Sequence, residues 1–181
     1  QCCGMPTLLE GDEPTTVQRV RFNLKTLLEA IHDGFDIVCS CPTCGFLMKV
    51  LLQQGAFYSE EYQRAVGAGL DEIKVPDTSR PASGFVCLKK SIYEKILKNN
   101  GYFSGIDPLK RIALSTHVMD LGEYLFQFHR KNGLNPFVGG IRSRMVYYAP
   151  CHQREQGIGS PYLDLVARIC GLQVEPVGSS L

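Results

Sequence analysis

Apolar positions along the chain settle first into a helical rhythm. Val17, Val20, Leu24, Leu27, Leu28 and Ile31 recur at the three-and-four spacing of one helix face. Thr15, with Gln18 three residues on, is the expected capping-box start, and Gly34 the expected terminator. The run FDIVC (35–39) then predicts a short buried strand. SCPTCG reads as a loop, and FLMKVLLQQ as a helix from about Gly45 to Gln54. Helix, strand, loop, helix is the rhythm of a parallel α/β unit. It recurs near the end of the chain: RMVYYA as strand, PCHQREQGIG as loop, and Ser160 with Pro161 as N-cap and first residue of the helix PYLDLVARIC. Gly171 closes that helix, and LQVEPV is the next strand. In both units cysteines fall where a strand ends and its helix begins, the edge where open α/β sheets hold ligands. The expected class is therefore α/β, with parallel-sheet units carrying cysteine loops at the carboxyl ends of strands.

A helix-rich segment joins the two units. EEYQRAVGAG continues a helix, VPDTSRPASG is a polar loop, and a capped helix is expected from Ser91 to Gly101. Asp107 with Pro108 starts another, LSTHVMD looks extended, and Asp120 caps a helix that runs to Gly133. Leu121, Tyr124, Leu125 and Phe128 make the apolar face of that last helix. There is no repeat of solenoid period and no low-complexity stretch.

Composition narrows the possibilities. At 181 residues with 44% hydrophobic content the chain can build a proper core. A net charge of +1 without a basic run gives no reason to expect a nucleic-acid partner or an acidic membrane surface. No apolar stretch approaches the ~18–20 residues of a membrane span; the best candidate, FLMKVLL, carries Lys49. The sequence has no initiator methionine and stops directly after a predicted strand, which leads to the expectation of a piece of a longer protein.

Eight cysteines are unevenly placed. Cys2 and Cys3 are adjacent, Cys39, Cys41 and Cys44 form CSCPTC, and Cys87, Cys151 and Cys170 are single. Neighbouring Cα atoms sit about 3.8 Å apart, short of the roughly 4.4–6.8 Å that disulfides prefer, so Cys2 and Cys3 look elsewhere for partners. CPTC is a CxxC knuckle, a tight turn that presents two sulfurs to one centre. Such knuckles serve zinc sites, redox dithiols and iron–sulfur clusters alike. Clustered thiols of this kind point to a metal in a reducing compartment.

Cys2-Cys3-Gly4 followed by Cys41-Pro42-Thr43-Cys44 resembles the cysteine-rich CCG domain. That domain occurs in heterodisulfide reductase, in anaerobic glycerol-3-phosphate dehydrogenase, and in the iron–sulfur subunits of glycolate and lactate oxidases. The family pattern is a lone Cys, then CCG, then CxxC, commonly occurring twice. Tyr148-Ala149-Pro150-Cys151-His152 resembles the DPCH segment that opens a second such domain, and HVMDLGEYL the helix before it. On this resemblance residues 1–76 are the latter part of a first CCG unit, 77–142 a connecting segment, and 143–181 the start of a second. Two parts of the pattern are missing: the first lone cysteine, and the second CCG with its CxxC.

The resemblance implies an iron–sulfur electron-transfer subunit of a heterodisulfide-reductase-like or quinone-linked dehydrogenase complex. Its cofactor would be a four-iron cluster, of non-cubane type in heterodisulfide reductase, held by Cys2, Cys3, Cys41 and Cys44, with Cys151 beginning a second ligand set. Its partners would be flavoprotein and ferredoxin-type iron–sulfur subunits. The location would be cytoplasmic, or at the cytoplasmic face of a membrane through those partners. A vicinal pair suits a polynuclear cluster, since adjacent sulfurs can reach different irons. The alternative of another class is a structural zinc site in an interaction domain, which four thiolates also suit.

The remaining residues have plainer readings. Cys151 is either a ligand or a small buried residue, and His152 either a hydrogen-bond donor to a site or a half-exposed loop residue. Cys39, Cys87 and Cys170 read as core. His32 and His129 sit late in predicted helices, where the dipole favours a cation, and His117 has no partner at metal-binding spacing. Gly157 and Gly159 precede a helix without a phosphate-loop motif. Lysines and arginines are dispersed and read as solvated, and no Ser–His–Asp set can be argued.

Overall fold

A computed structural model of the chain describes residues 2–77, 84–93, 98–133, 142–169 and 171–177. In chain order the elements are α1 (Met5–Leu9), α2 (Glu13–His32), β1 (Ile37–Cys39) and α3 (Pro42–Phe46), which runs straight into a π-helical turn at Leu47–Leu51. A 3-10 turn (Ala56–Tyr58), α4 (Glu60–Ala65), β2 (Glu72–Pro76), β3 (Phe85–Lys89) and α5 (Lys90–Tyr93) follow. Then come α6 (Pro108–His117), β4 (Val118–Asp120), α7 (Leu121–Asn132), β5 (Ser143–Tyr147), α8 (Cys151–Arg154), α9 (Pro161–Val166) and β6 (Leu172–Pro176). The fold is mixed α/β. No described helix is long and apolar enough to cross a membrane.

The chain forms two compact units drawn from discontinuous segments: residues 1–35 with 47–117, and 36–46 with 118–181. Compactness thus divides it differently from the expected segments 1–76, 77–142 and 143–181. The physical cause is parallel pairing. β1 pairs with β4 in the register Ile37↔Val118, Val38↔Met119, Cys39↔Asp120, which takes residues 36–46 out of their sequence neighbourhood.

In the first unit, α2 buries Val20 and Leu24, alongside a core that includes Met5, Leu47, Leu52, Phe103 and Leu114. The cap of α2 is not Thr15 but Asp12, whose carboxylate accepts the Thr15 N–H at 3.1 Å. Pro14 explains the shift: it sits in the first turn, where its missing N–H is not needed. The helix ends as expected, with Gly34 at φ 87. Within the segment expected to be helix-rich, β2 and β3 pair antiparallel from Glu72↔Lys89 to Pro76↔Phe85, on either side of the expected polar loop. Cys87 lies on this hairpin and is exposed, not core. Residues 78–83, between the strands, and 94–97, within the expected 91–101 helix, lie outside the described residues.

Arg111 overturns its solvated reading. It is fully buried and its guanidinium donates to four acceptors. Nε reaches Leu52 O at 2.8 Å, Nη1 reaches Phe103 O at 2.5 Å, Nη2 reaches Gln54 O at 3.0 Å, and both Nη atoms contact Asn99 Oδ1 at 3.2 Å. It therefore ties the Leu52 and Gln54 carbonyls, just past the π-helical turn, to the Phe103 carbonyl, which also accepts the Ile106 N–H at 3.0 Å.

The second unit holds two parallel strand pairs, β1 with β4 and β5 with β6, the latter in the register Ser143↔Leu172 to Tyr147↔Pro176. LSTH belongs to α6, so only Val118–Asp120 of the expected extended stretch is strand. Asp120 caps α7 as expected: its carboxylate accepts the Gly122 N–H at 2.8 Å, and Glu123 completes the capping box. The expected core residue Cys170 lies outside the described residues.

Candidate functional site

The CPTC turn is the first turn of a helix rather than a loop. Cys41 stands just before α3, where its carbonyl accepts the Gly45 N–H at 3.0 Å, and Pro42 takes the first helical position. The polypeptide has just left β1, so the turn sits at the carboxyl end of a parallel strand. Cys41 is exposed and Cys44 half-buried. The Cys44 N–H points at the Cys41 sulfur and, with smaller help from Thr43, lowers the thiol below its ordinary range. A sulfur so placed is disposed to carry charge, which is what both a metal ligand and a nucleophile need.

Cys151 occupies the equivalent place in the other strand pair. It opens α8 shortly after β5, and it is exposed, which removes the reading of it as a small buried residue. Three contacts tie its segment to the CPTC turn. The Thr43 hydroxyl lies 2.9 Å from His152 Nδ1. The Phe46 and His152 rings stack, with centroids 4.9 Å apart and planes 5° from parallel. Gln156 Nε2 donates to Pro42 O at 3.1 Å and to His152 O at 3.2 Å. Gly45 is what permits this last approach: a Cβ there would lie 3.0 Å from Gln156 Nε2.

Behind the joint lies a set of buried polar groups. Asp120, paired across the ladder with the half-buried Cys39, has no exposed surface. Gln153 is buried as well and accepts the Tyr147 hydroxyl at 3.0 Å. The Tyr162 ring packs on the Gly122 backbone, and its hydroxyl is pushed up to about 12 by burial and by the nearby Asp120 carboxylate. Tyr147 is raised for the same first reason.

Cys2 and Cys3 belong to the first unit. Cys3 is buried and Cys2 half-buried. The Gly4 N–H lowers the Cys2 thiol, and Arg19 adds to the effect. Asn23 Nδ2 donates to Cys2 O at 3.0 Å and anchors the pair to α2.

Of the expected ligands, Cys41, Cys44 and Cys151 thus share one compact unit, and Cys2 and Cys3 lie in the other. Among the described residues no three His, Cys, Asp or Glu side chains converge as a metal cage. What fits a thiophilic metal is the CPTC turn, with two sulfurs on one helical turn and a backbone N–H stabilising the charge of one. Thr43, Phe46, Gln153 and Gln156 went unread in the sequence. Polar residues in a predicted loop carry no periodic signal, and Phe46 was absorbed into an apolar helix. Compared with protein-family models, with curated proteins and with solved structures, the chain matches none of them.

Proposed function

We propose that the chain is an iron–sulfur electron-transfer module of the CCG-domain kind, working within a larger oxidoreductase complex. Cys41 and Cys44 are its primary ligand pair, the vicinal Cys2 and Cys3 are the further ligands that the resemblance implies, and Cys151 begins a second ligand set. The observation that carries this reading is the placement of the CPTC turn and Cys151 at the ends of two parallel strands, joined through Thr43, Phe46, His152 and Gln156. A bound cluster would supply one-electron storage. The protein's part is to offer thiolates, fix their direction and donate hydrogen bonds to sulfur, which together set the potential. Its partners are flavoprotein or ferredoxin-type subunits, and its acceptor a disulfide or a quinone.

The test is spectroscopic. Chain reconstituted with iron and sulfide without oxygen should show thiolate-to-iron charge-transfer absorption that bleaches on reduction. Cys41→Ser and Cys44→Ser should each abolish it, and Cys87→Ser should leave it intact. A colourless chain that holds zinc and folds only with it would instead establish the structural zinc reading.

A further inference from the structure

The β2–β3 hairpin closes one of its two edges and leaves the other open. The Lys90 N–H donates to Asp71 O and the Asp77 N–H to Gly84 O, each at 3.1 Å, which fixes the phase of the ladder between them. Glu72, Lys74 and Pro76 on β2, and Phe85, Cys87 and Lys89 on β3, therefore turn their backbone polar groups outward. On β2 every outward N–H is used or missing. The Glu72 N–H donates to Gly69 O at 3.3 Å, and Pro76 has none. Lys74 is answered twice by one side chain: its N–H donates to Gln63 Oε1 at 2.8 Å, and its carbonyl accepts Gln63 Nε2 at 2.9 Å. On β3 no described residue hydrogen-bonds the outward N–H of Phe85, Cys87 or Lys89, or the carbonyls of Phe85 and Cys87. The Lys89 carbonyl is committed to the first turn of α5. Phe85, Val86 and Cys87 are exposed on this strand. An open edge of this kind is a template for another strand.

We propose that the open edge of β3 pairs antiparallel with β3 of a second copy of this chain, across a two-fold axis through Cys87. The strand's own sequence selects this partner. FVCLK is complementary to itself in one register: Cys87 faces Cys87, Phe85 faces Lys89 and Val86 faces Leu88. The outward groups of both copies then meet. Cys87 exchanges two hydrogen bonds with its counterpart, and each Lys89 N–H donates to the Phe85 carbonyl opposite. The charges agree as well. Each Lys89 ammonium lies beside an aromatic ring, whereas centring the pair on Lys89 would set two ammonium groups against each other. The contact is isologous and closes at two chains, because the β2 edges are already blocked. It is also small, so the dimer is weak and forms at high concentration. It does not depend on a metal.

Sedimentation of the full chain at rising concentration, with thiols kept reduced, should show monomer passing to dimer. Mild oxidation should then join the copies at Cys87, since Cα atoms of a hydrogen-bonded antiparallel pair lie about 5.5 Å apart, inside the roughly 4.4–6.8 Å range of disulfides. Peptide mapping distinguishes this link from links through the other cysteines, and Cys87→Ser removes it. Phe85→Lys sets like charges opposite each other twice and should weaken the dimer by about twofold to thirtyfold, whereas Phe85→Glu should tighten it by a similar factor. Cys87→Pro removes an outward N–H without touching the ladder to β2, as Pro76 does on the other strand, and should leave a monomer. Where that variant does not fold, the opposed shifts of the two Phe85 variants decide. The pairing is overturned by a chain that stays monomeric into the millimolar range, or by a dimer indifferent to Phe85. A folded Cys87→Pro chain that still dimerises, or oxidation that links copies only through other cysteines, overturns it too.

Discussion

Replacing Arg111 with Met should destabilise the first unit severely, and the size of the effect follows from its partners. The five N–H groups of an arginine fork are its whole donor set. Here they make five contacts with four acceptors: the carbonyls of Leu52, Gln54 and Phe103, and Asn99 Oδ1. Methionine fills much of the volume but donates nothing. Each buried acceptor left without a partner costs about 1–3 kcal/mol, and the losses do not simply add, because Phe103 O keeps the Ile106 N–H at 3.0 Å, Asn99 can turn and water can enter. A loss of about 3–5 kcal/mol is expected. For a chain of this size 1 kcal/mol corresponds to roughly 2–4 °C, so the melting midpoint should fall by roughly 6–20 °C. Urea unfolding of the parent, Arg111→Met and Arg111→Lys measures this directly. Lysine offers three donors from one point and should recover only a minor part. A loss below about 1 kcal/mol for Arg111→Met would mean that these carbonyls find other partners and that the guanidinium does not organise the unit.

Further consequences are open to simple assays. Thiol alkylation at neutral pH, followed residue by residue, should label Cys41 and Cys2 before Cys87, although Cys87 is exposed. The first two are lowered by backbone N–H groups and hold more thiolate, whereas hydrogen bonding to Glu72, with its negative charge, raises the Cys87 thiol. Labelling of Cys87 first would contradict this. Gly122→Ala should destabilise the second unit by about 1–3 kcal/mol, since a Cβ there would meet the Tyr162 ring at 2.6 Å; unchanged unfolding would show that the ring moves aside freely. Tyr162 makes stability alkaline-sensitive. Its phenol is raised to about 12 in the folded chain, whereas an unfolded tyrosine titrates near about 10. Its contribution is therefore complete below the unfolded value and lost as pH climbs through the folded one. The part of the loss seen in the parent but not in Tyr162→Phe isolates it.

Much of the local structure was legible because it obeys short-range rules. Asp107 and Asp120 accept helix-start N–H groups, Gly34 and Gly133 follow helix ends, and the strands at 143–147 and 172–176 pair in parallel. Elements decided by distant partners were not legible. Nothing near Arg111 in the chain announces that carbonyls 57 and 59 positions earlier need its donors. The β2–β3 hairpin leaves Cys87 outward because only one face of a two-stranded edge can be covered. The CPTC stretch reads as a loop by composition, yet Pro42 at a first helical position and Gly45 under Gln156 turn it into a helix start. For the candidate site, the cysteines themselves were visible from residue type and spacing. The Thr43–His152 joint was not, since it links positions 109 apart in sequence.

The proposed role has these thiolates hold an iron–sulfur cluster. Its most direct test is the iron, zinc and acid-labile sulfide content of the chain prepared without oxygen, alongside the Cys41→Ser/Cys44→Ser double variant. Iron and sulfide together are expected in the parent and neither in the variant. Iron and sulfide absent from the parent, or bound undiminished by the variant, would contradict it.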